Sequence, residues 1–192
     1  FIDEEIDFEQ FLIDFNINAP ADMRALKIER VSDTFNIIQH PKQKEYRYYF
    51  CFGEKTHPYS APFLNRFRGN LDINLMKEGA KLFEGFHNFK RYCVKPTEFT
   101  KVERNIDYCQ IIENTELTAS FFPKKSYVLI VKGEGFLRNQ IRLIMGTLED
   151  LGAGRIDLDF IKESFDLESD IQFIKNIAPA SGLHLHRIEF KE

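Results

Sequence analysis

The chain has 192 residues, 43% of them hydrophobic, and a formal charge of −4. That length suits one domain or a domain plus a smaller segment. No run of about 18 apolar residues is present, which excludes a helical membrane span. The opening residues are acidic and do not read as a signal peptide. Cys51, Cys93 and Cys109 are far apart and form no C-x-x-C pair, so they read as free thiols of an intracellular protein.

The charge is uneven. Residues 1–22 hold seven acids and no base; taking those seven away from −4 leaves the rest of the chain at +3. Within 124–155, Lys124, Lys125, Lys132, Arg138, Arg142 and Arg155 stand against Glu134, Glu149 and Asp150. A local positive face is expected there, although mixed charge is also the ordinary state of a solvated surface. Phenylalanine is abundant, with 20 Phe, 7 Tyr and no Trp, and most of these rings belong to a core.

In chain order, Ile6, Phe8, Phe11, Leu12 and Phe15 recur at helical spacing, so 4–15 predicts an amphipathic helix with acids in its first turn. Pro20 interrupts, and 23–31 alternates like a strand. The aromatic run 45–52 (EYRYYFCF) suits a half-buried strand. Gly, Pro and Ser make 53–61 a loop. Asn70 or Asp72 caps a helix over 73–84 that ends at Gly85. Strands are predicted at 106–112 and 127–132, the second one central. A helix over 136–151, closed by Gly152 and Gly154, is followed by another at 157–165 and a last strand at 183–190.

From residue 45 the order is strand, helix, strand, strand, helix, an added helix, strand. This is an α+β fold on the split βαβ plan of ferredoxin-like and RRM-like domains. It implies an antiparallel sheet with helices on one face and the other face free. The main domain is set at 37–192, with 1–36 as the tail of a preceding one.

Three segments carry chemistry. The stretch 135–142 (GFLRNQIR) places Arg138 and Arg142 four apart, on one helix face. On spacing alone a surface arginine is the commoner reading. The stretch 178–183 (APASGL) is a turn of fixed shape leading into the last strand. In 42–48 (KQKEYRY), Tyr46 and Tyr48 share a strand face with Arg47 opposite, which on pattern alone is cross-strand packing. His184 and His186 alternate onto one face, and His87 is the only obvious third ligand for zinc, so no metal is assigned. No Ser stands in a nucleophile elbow, and there is neither a Walker motif nor G-x-G-x-x-G.

Taken together and in this order, the segments resemble the TruA-type tRNA pseudouridine synthase family, over nearly the whole chain. Residues 16–24 (NINAPADMR) are similar to L-N-x-x-L-P-x-D-I-R, with Ala19 for the usual Leu. Phe35-Asn36 followed by 42–48 is similar to F-H-A-R … K-x-Y-R-Y. Residues 82–89 (LFEGFHNF) resemble L-x-G-x-H-D-F, with Asn88 for Asp. Residues 104–106 fit R-x-I. Residues 136–142, 146–148 and 152–154 resemble F-L-x-x-M-V-R … G-T-L … G-x-G, and 178–183 with Leu185 resemble A-P-A-x-G-L-x-L. Ile37-Ile38 and Gln39-His40-Pro41 depart from the family pattern.

The resemblance implies an isomerase that turns uridine into pseudouridine in tRNA, in the anticodon arm. It implies no cofactor, a homodimer and a cytoplasmic setting. The family's nucleophilic Asp lies in an R-T-D-x-G-V-H-A motif upstream of L-P-x-D-I-R, and that motif does not occur in these 192 residues. On this reading the chain is a C-terminal part that is inactive alone, and 1–36 is what remains of the catalytic half. Arg142 matches the arginine that pairs with the Asp, favouring its ionised form. Tyr46 matches the aromatic residue that contacts an extruded base, and Leu183 an apolar pocket residue. Arg138, Lys124 and Lys125 are the candidate phosphate contacts. The rival reading is a non-catalytic RRM-like RNA-binding module, and a weaker one a ferredoxin-like metabolic or dimerisation domain.

Overall fold

The computed structural model describes residues 6–171 and 174–191. The chain divides into two compact units, 1–39 and 40–192. Among the described residues no helix is long and apolar enough to cross a membrane.

In the first unit, helix α1 runs Phe8–Asn18. Asp7 caps it, accepting from the Glu9 and Gln10 amides at 3.0 and 3.2 Å. It stops where Pro20 cannot continue the ladder. The predicted helix began at residue 4, and its first two residues lie outside the described ones. The strand expected over 23–31 does not form. Instead the Asn16 side chain takes both backbone groups of Ala25, at 2.8 and 2.9 Å. Alternation marks a strand only when a second strand is at hand to receive its hydrogen bonds.

The second unit is built on strand β1 (Pro41–Phe52), four residues longer at its start than the aromatic run suggested. One side of β1 pairs antiparallel with β6 (Tyr127–Gly133), from Lys44 opposite Gly133 to Phe50 opposite Tyr127. The other side carries β7 (Leu183–Phe190), antiparallel, and then β2 (Asn65–Phe67), parallel. β5 (Tyr108–Glu113) flanks β6. The expected α+β class holds, but the sheet is mixed, because the chain after β1 loops back and re-enters beside the same strand. The strand expected over 106–112 is two. β4 (Glu103–Ile106) leaves the sheet to pair with β3 (Gly85–Asn88), and the Asp107 amide donates to the Lys132 carbonyl at the break.

Helices α2 (Ile73–Lys81) and α3 (Gln140–Gly152) cover one face, and the short α4 (Leu158–Glu163) adds Ile161 to the same core. Asp72, one of the two expected caps, caps α2. Tyr48, Phe50, Met76, Leu129, Val131, Ile144, Met145 and Leu148 are all buried in this layer. Each contributes about 1.5–3 kcal/mol by leaving water. The opposite face is not free as the sequence suggested. Tyr49, Cys51, Val128 and Ile130 are covered there by Leu64, Leu117 and Phe122 from the chain's own loops. Burial on both faces explains why β6 reads as an unbroken apolar run.

Candidate active site

Helix α3 starts at Gln140, not at 136. Asn139 has φ +61°, a left-handed conformation that cannot continue into a right-handed helix, and Asn tolerates it better than most residues. Residues 136–139 therefore form a turn. Its close is set by the Gln140 side chain, whose Oε1 accepts the Leu137 amide at 2.7 Å. Gln140 is buried, and its Nε2 has no partner among the described residues. One consequence overturns an expectation: Arg138 lies in the turn, exposed, and does not share a helix face with Arg142.

Arg142 sits in the first turn of α3, half-buried. Its Nε donates to the Ala178 carbonyl at 2.6 Å, and its own carbonyl accepts the Ala178 amide at 3.0 Å. The segment leading to Ala178 is held against the same helix. Asn176 donates to the Gly146 carbonyl at 3.1 Å, and a Cβ on Gly146 would lie 1.9 Å from the Asn176 carbonyl oxygen. Further on, the Tyr48 hydroxyl donates to the Pro179 carbonyl at 2.7 Å. A Cβ on Gly182 would meet the Tyr49 carbonyl oxygen at 2.5 Å and the Tyr48 ring at 2.8 Å. Residues 176–182 thus form a bridge stitched to α3 at one end and to β1 at the other. It delivers Leu183 opposite Tyr48 and Leu185 opposite Tyr46.

These pieces converge on a cavity of about 160 Å³ lined by Lys44, Tyr46, Phe136, Gln140, Arg142 and Leu183, among others. It equals roughly five water molecules' share of liquid volume. That is well under the roughly 300–1,000 Å³ of sites for drug-sized ligands and on the scale of a single small ring. The Phe136 ring stands edge-on to Tyr46 at 5.4 Å and 90°, which fixes the face Tyr46 presents. Burial pushes the Tyr48 phenol far above its ordinary range, against the opposing pull of the Arg142 charge. Tyr48 is therefore a permanent donor to the bridge. Arg142 spends only Nε internally. Its two terminal nitrogens have no partner among the described residues, and no carboxylate lines the cavity. A guanidinium held by one nitrogen and open at the other two is arranged for a carboxylate.

Three of the six residues singled out from sequence, Tyr46, Arg142 and Leu183, meet in this cavity. Arg138 stands just outside it. Lys124 and Lys125 precede β6, while the cavity lies toward its other end, where Tyr46 pairs with Val131 and Lys44 with Gly133, about 20 Å along the strand. Sequence reasoning passed over Lys44, Phe136 and Gln140. Lys44 was signalled by its place two residues before Tyr46 on one strand, and the other two by lying inside the 136–142 segment.

The histidines have other work. His87 stacks on Phe165 at 4.2 Å, and His184 meets the Phe63 carbonyl at 2.9 Å. Among the described residues no three His, Cys, Asp or Glu side chains are grouped for a metal. The RRM-like reading needs Tyr46 and Tyr48 on an open sheet face, whereas Tyr48 is 0% exposed beneath the helices.

Comparison with known proteins gives concordant matches. A family model described as tRNA pseudouridine synthase matches residues 80–191. A tRNA pseudouridine synthase A of Listeria monocytogenes serotype 4b is 31% identical over 191 residues, covering 98% of this chain and 74% of the Listeria protein. A tRNA pseudouridine synthase A 2 of Bacillus cereus is 29% identical over 171 residues, covering 89% of this chain and 66% of that protein. With the family model spanning more than half of its residues and the Listeria protein aligned along nearly all of them, the chain belongs to the tRNA pseudouridine synthase family.

Proposed function

We propose that residues 40–192 hold the target base and orient the catalytic carboxylate of an enzyme that isomerises uridine to pseudouridine in tRNA, in the anticodon arm. The observation that carries this is the meeting of Tyr46, Leu183 and a half-committed Arg142 in one cavity of single-ring size. The reaction breaks the bond from C1′ of ribose to N1 of uracil, turns the base, and joins C1′ to C5. A proton leaves C5 and one is gained at N1. No electrons enter or leave, so no redox cofactor is required.

The base must leave its stack to expose C1′. Tyr46 and Leu183 then sandwich the extruded ring, and the Tyr46 hydroxyl helps move the proton. Arg142 pairs through its terminal nitrogens with the nucleophilic aspartate, which favours the charged form the chemistry needs. No described lining residue is a carboxylate, and we take that aspartate to be the one in the R-T-D-x-G-V-H-A motif that the family resemblance implies. Arg138, Lys124 and Lys125 contact phosphates along the tRNA. The working protein is a cytoplasmic homodimer.

The test uses unmodified tRNA transcripts and mass-spectrometric detection of pseudouridine. The 192-residue chain alone forms none, while a version extended at its N terminus to the length of its relatives forms it. Turnover by the chain alone would overturn the placement of the nucleophile. Full activity of Arg142→Ala in the extended protein would remove Arg142 from the site.

A further inference from the structure

A second cavity, of about 850 Å³, adjoins the first. The two are contiguous along the chain. Lys42 lines the larger and Lys44 the smaller on strand β1, and Gly135 lines the larger and Phe136 the smaller in the turn before α3. The far wall is the β3–β4 hairpin, which stands apart from the main sheet. That separation explains why the strand expected over 106–112 breaks at Asp107.

The charges here are not balanced once internal pairs are removed. Glu134 is taken by Lys191 at 2.7 Å. That contact, with the Lys191 charge and a further pull from Arg104, holds its carboxyl below the usual range. Asp107 accepts from the Gln43 and Asn105 amides, at 2.9 and 2.6 Å. Lys42 and Lys101 make no ion pair among the described residues. Among the described residues Arg104 donates only to its neighbour's carbonyl. Against these three cations stand two acids, Glu103 and Asp107, since amide donors leave the Asp107 charge in place, so the groove keeps a surplus of one cation. Between them Phe86 leaves its ring 70% exposed, opposite Asn105 on the hairpin. A single exposed ring is ordinary on a protein surface, but here it lines a groove beside Lys42, Lys101 and Arg104. That arrangement matches the pattern by which single strands are held, with stacking on a ring and backbone charge on Lys and Arg.

We infer that this groove binds the nucleotide next to the one in the small cavity, with Phe86 stacking on its base and Lys42, Lys101 and Arg104 meeting its phosphates. The inference rests on the functional reading above, because it takes the small cavity to hold an extruded base. It adds a surface for the flanking strand and assigns it to the hairpin.

The experiment measures binding of a fluorescein-labelled anticodon stem-loop RNA to the 192-residue chain over a salt series. Phe86→Ala weakens binding about 10-fold, in line with the loss of one stacked base. The triple variant Lys42→Ala, Lys101→Ala, Arg104→Ala flattens the slope of log K against log salt by about 2, near 0.7 for each lost contact to a single strand. A control removing Lys55, Lys81 and Lys175, all exposed and off the groove, leaves the slope nearer the parent's. Circular dichroism of each variant matches the parent, since none of these side chains is buried. If the parent binds and the groove variants bind equally well, the groove inference falls and the cavity reading stands. If the groove and control triples flatten the slope alike, binding is diffuse and the inference also falls. If Phe86→Ala leaves RNA affinity intact and changes the mass in solution, the surface is a contact between copies, not an RNA groove. Pseudouridine formation by the extended protein is followed separately, so a parent that binds no RNA overturns this inference without deciding the chemistry.

Discussion

Arg142 shows how a single side chain can be readable as a type and unreadable as a geometry. Its neighbours Ile141 and Leu143 announce a half-buried arginine, and the segment around it carries the family resemblance. Nothing in the spacing says that Nε is spent on Ala178, 36 residues away. That bond gives a prediction a charge argument alone would miss. Arg142→Lys keeps the positive charge but cannot hold Ala178 and offer a two-pronged donor at once. In the extended enzyme, both Arg142→Ala and Arg142→Lys should lower kcat by about 10²–10³-fold, the scale of losing one fixed donor at a reacting charge. Lys close to wild type in single-turnover assays would reduce the residue to a point charge. Arg138 is the converse lesson. Its partnership with Arg142 assumed an unbroken helix, and the one clue against that was an Asn at 139, a residue unusually tolerant of the left-handed conformation it adopts.

Glu45 is another residue that sequence left unmarked. It is a buried carboxylate in the middle of β1, and burial by itself would raise its pKa. Hydrogen bonds and charges from Arg47 on its own strand and Lys132 on β6 outweigh that and hold it below the usual carboxylate range. His186 of β7 stands 4.0 Å away, and Glu116 engages Arg47 from the opposite side. A carboxyl with a lowered folded-state pKa adds stability above its unfolded value, near 4.5, and gives it up as pH falls through the folded value. Glu45→Gln should therefore cost about 1–3 kcal/mol at pH 7 in urea unfolding. The gap to the parent should begin to narrow as pH falls below about 4.5 and close once pH passes the lowered folded value, where the parent's carboxyl is protonated too. A gap unchanged down to pH 3 would mean the cost is packing and not charge.

Among the elements, the 176–182 bridge decides where the site can be. Helix α3 and strand β1 belong to different layers of the fold, and this segment ties the arginine of one to Tyr48 of the other by hydrogen bonds. The sequence marks it as a Pro- and Gly-containing turn, but a turn signal says that the chain bends, not what it crosses. Gly182 is where the bridge presses most closely on β1. An added methyl would press on the Tyr49 carbonyl and the Tyr48 ring, neither of which can retreat from the sheet. Gly182→Ala should cost about 2–3 kcal/mol, at the upper end of overpacking. It should also move Leu183 and raise KM for tRNA. Tyr48→Phe removes only the hydrogen bond to Pro179 and should cost about 1–2 kcal/mol. If both variants unfold at the parent's urea midpoint, the bridge is not fastened as described. The hairpin of β3 and β4 was equally hidden. Periodicity runs smoothly through 103–113, and the break appears only because the Asp107 amide turns to Lys132.

At the level of the whole molecule, the layers follow from pattern and the two-unit division only partly does. From residue 45 the order was readable apart from β2 and the β3–β4 hairpin, because β1, β6 and α3 have strong periods and bury long apolar runs. The covering of the second sheet face was not, since it is made by loops whose residues have no period. The chain divides after residue 39. The two units differ in what holds them. α1 has no buried residue, and an 11-residue helix is marginal in water without packing. The central strands β1 and β6 have Tyr48, Phe50, Leu129 and Val131 within 2% of complete burial and are paired on both sides. Local opening energies should follow that contrast. In hydrogen exchange of the 192-residue chain, amides of β6 and the middle of β1 should exchange only on global unfolding, and those of α1 orders of magnitude faster. Adding tRNA should slow exchange at Lys44–Tyr46 and at the 136–139 turn, where the proposed base cavity lies, and leave the core of β6 unchanged. Protection of α1 equal to that of β6 would show that residues 1–39 share the cooperative unit of the sheet, and the activity of any extended enzyme would then have to be read as that of one folding unit and not two.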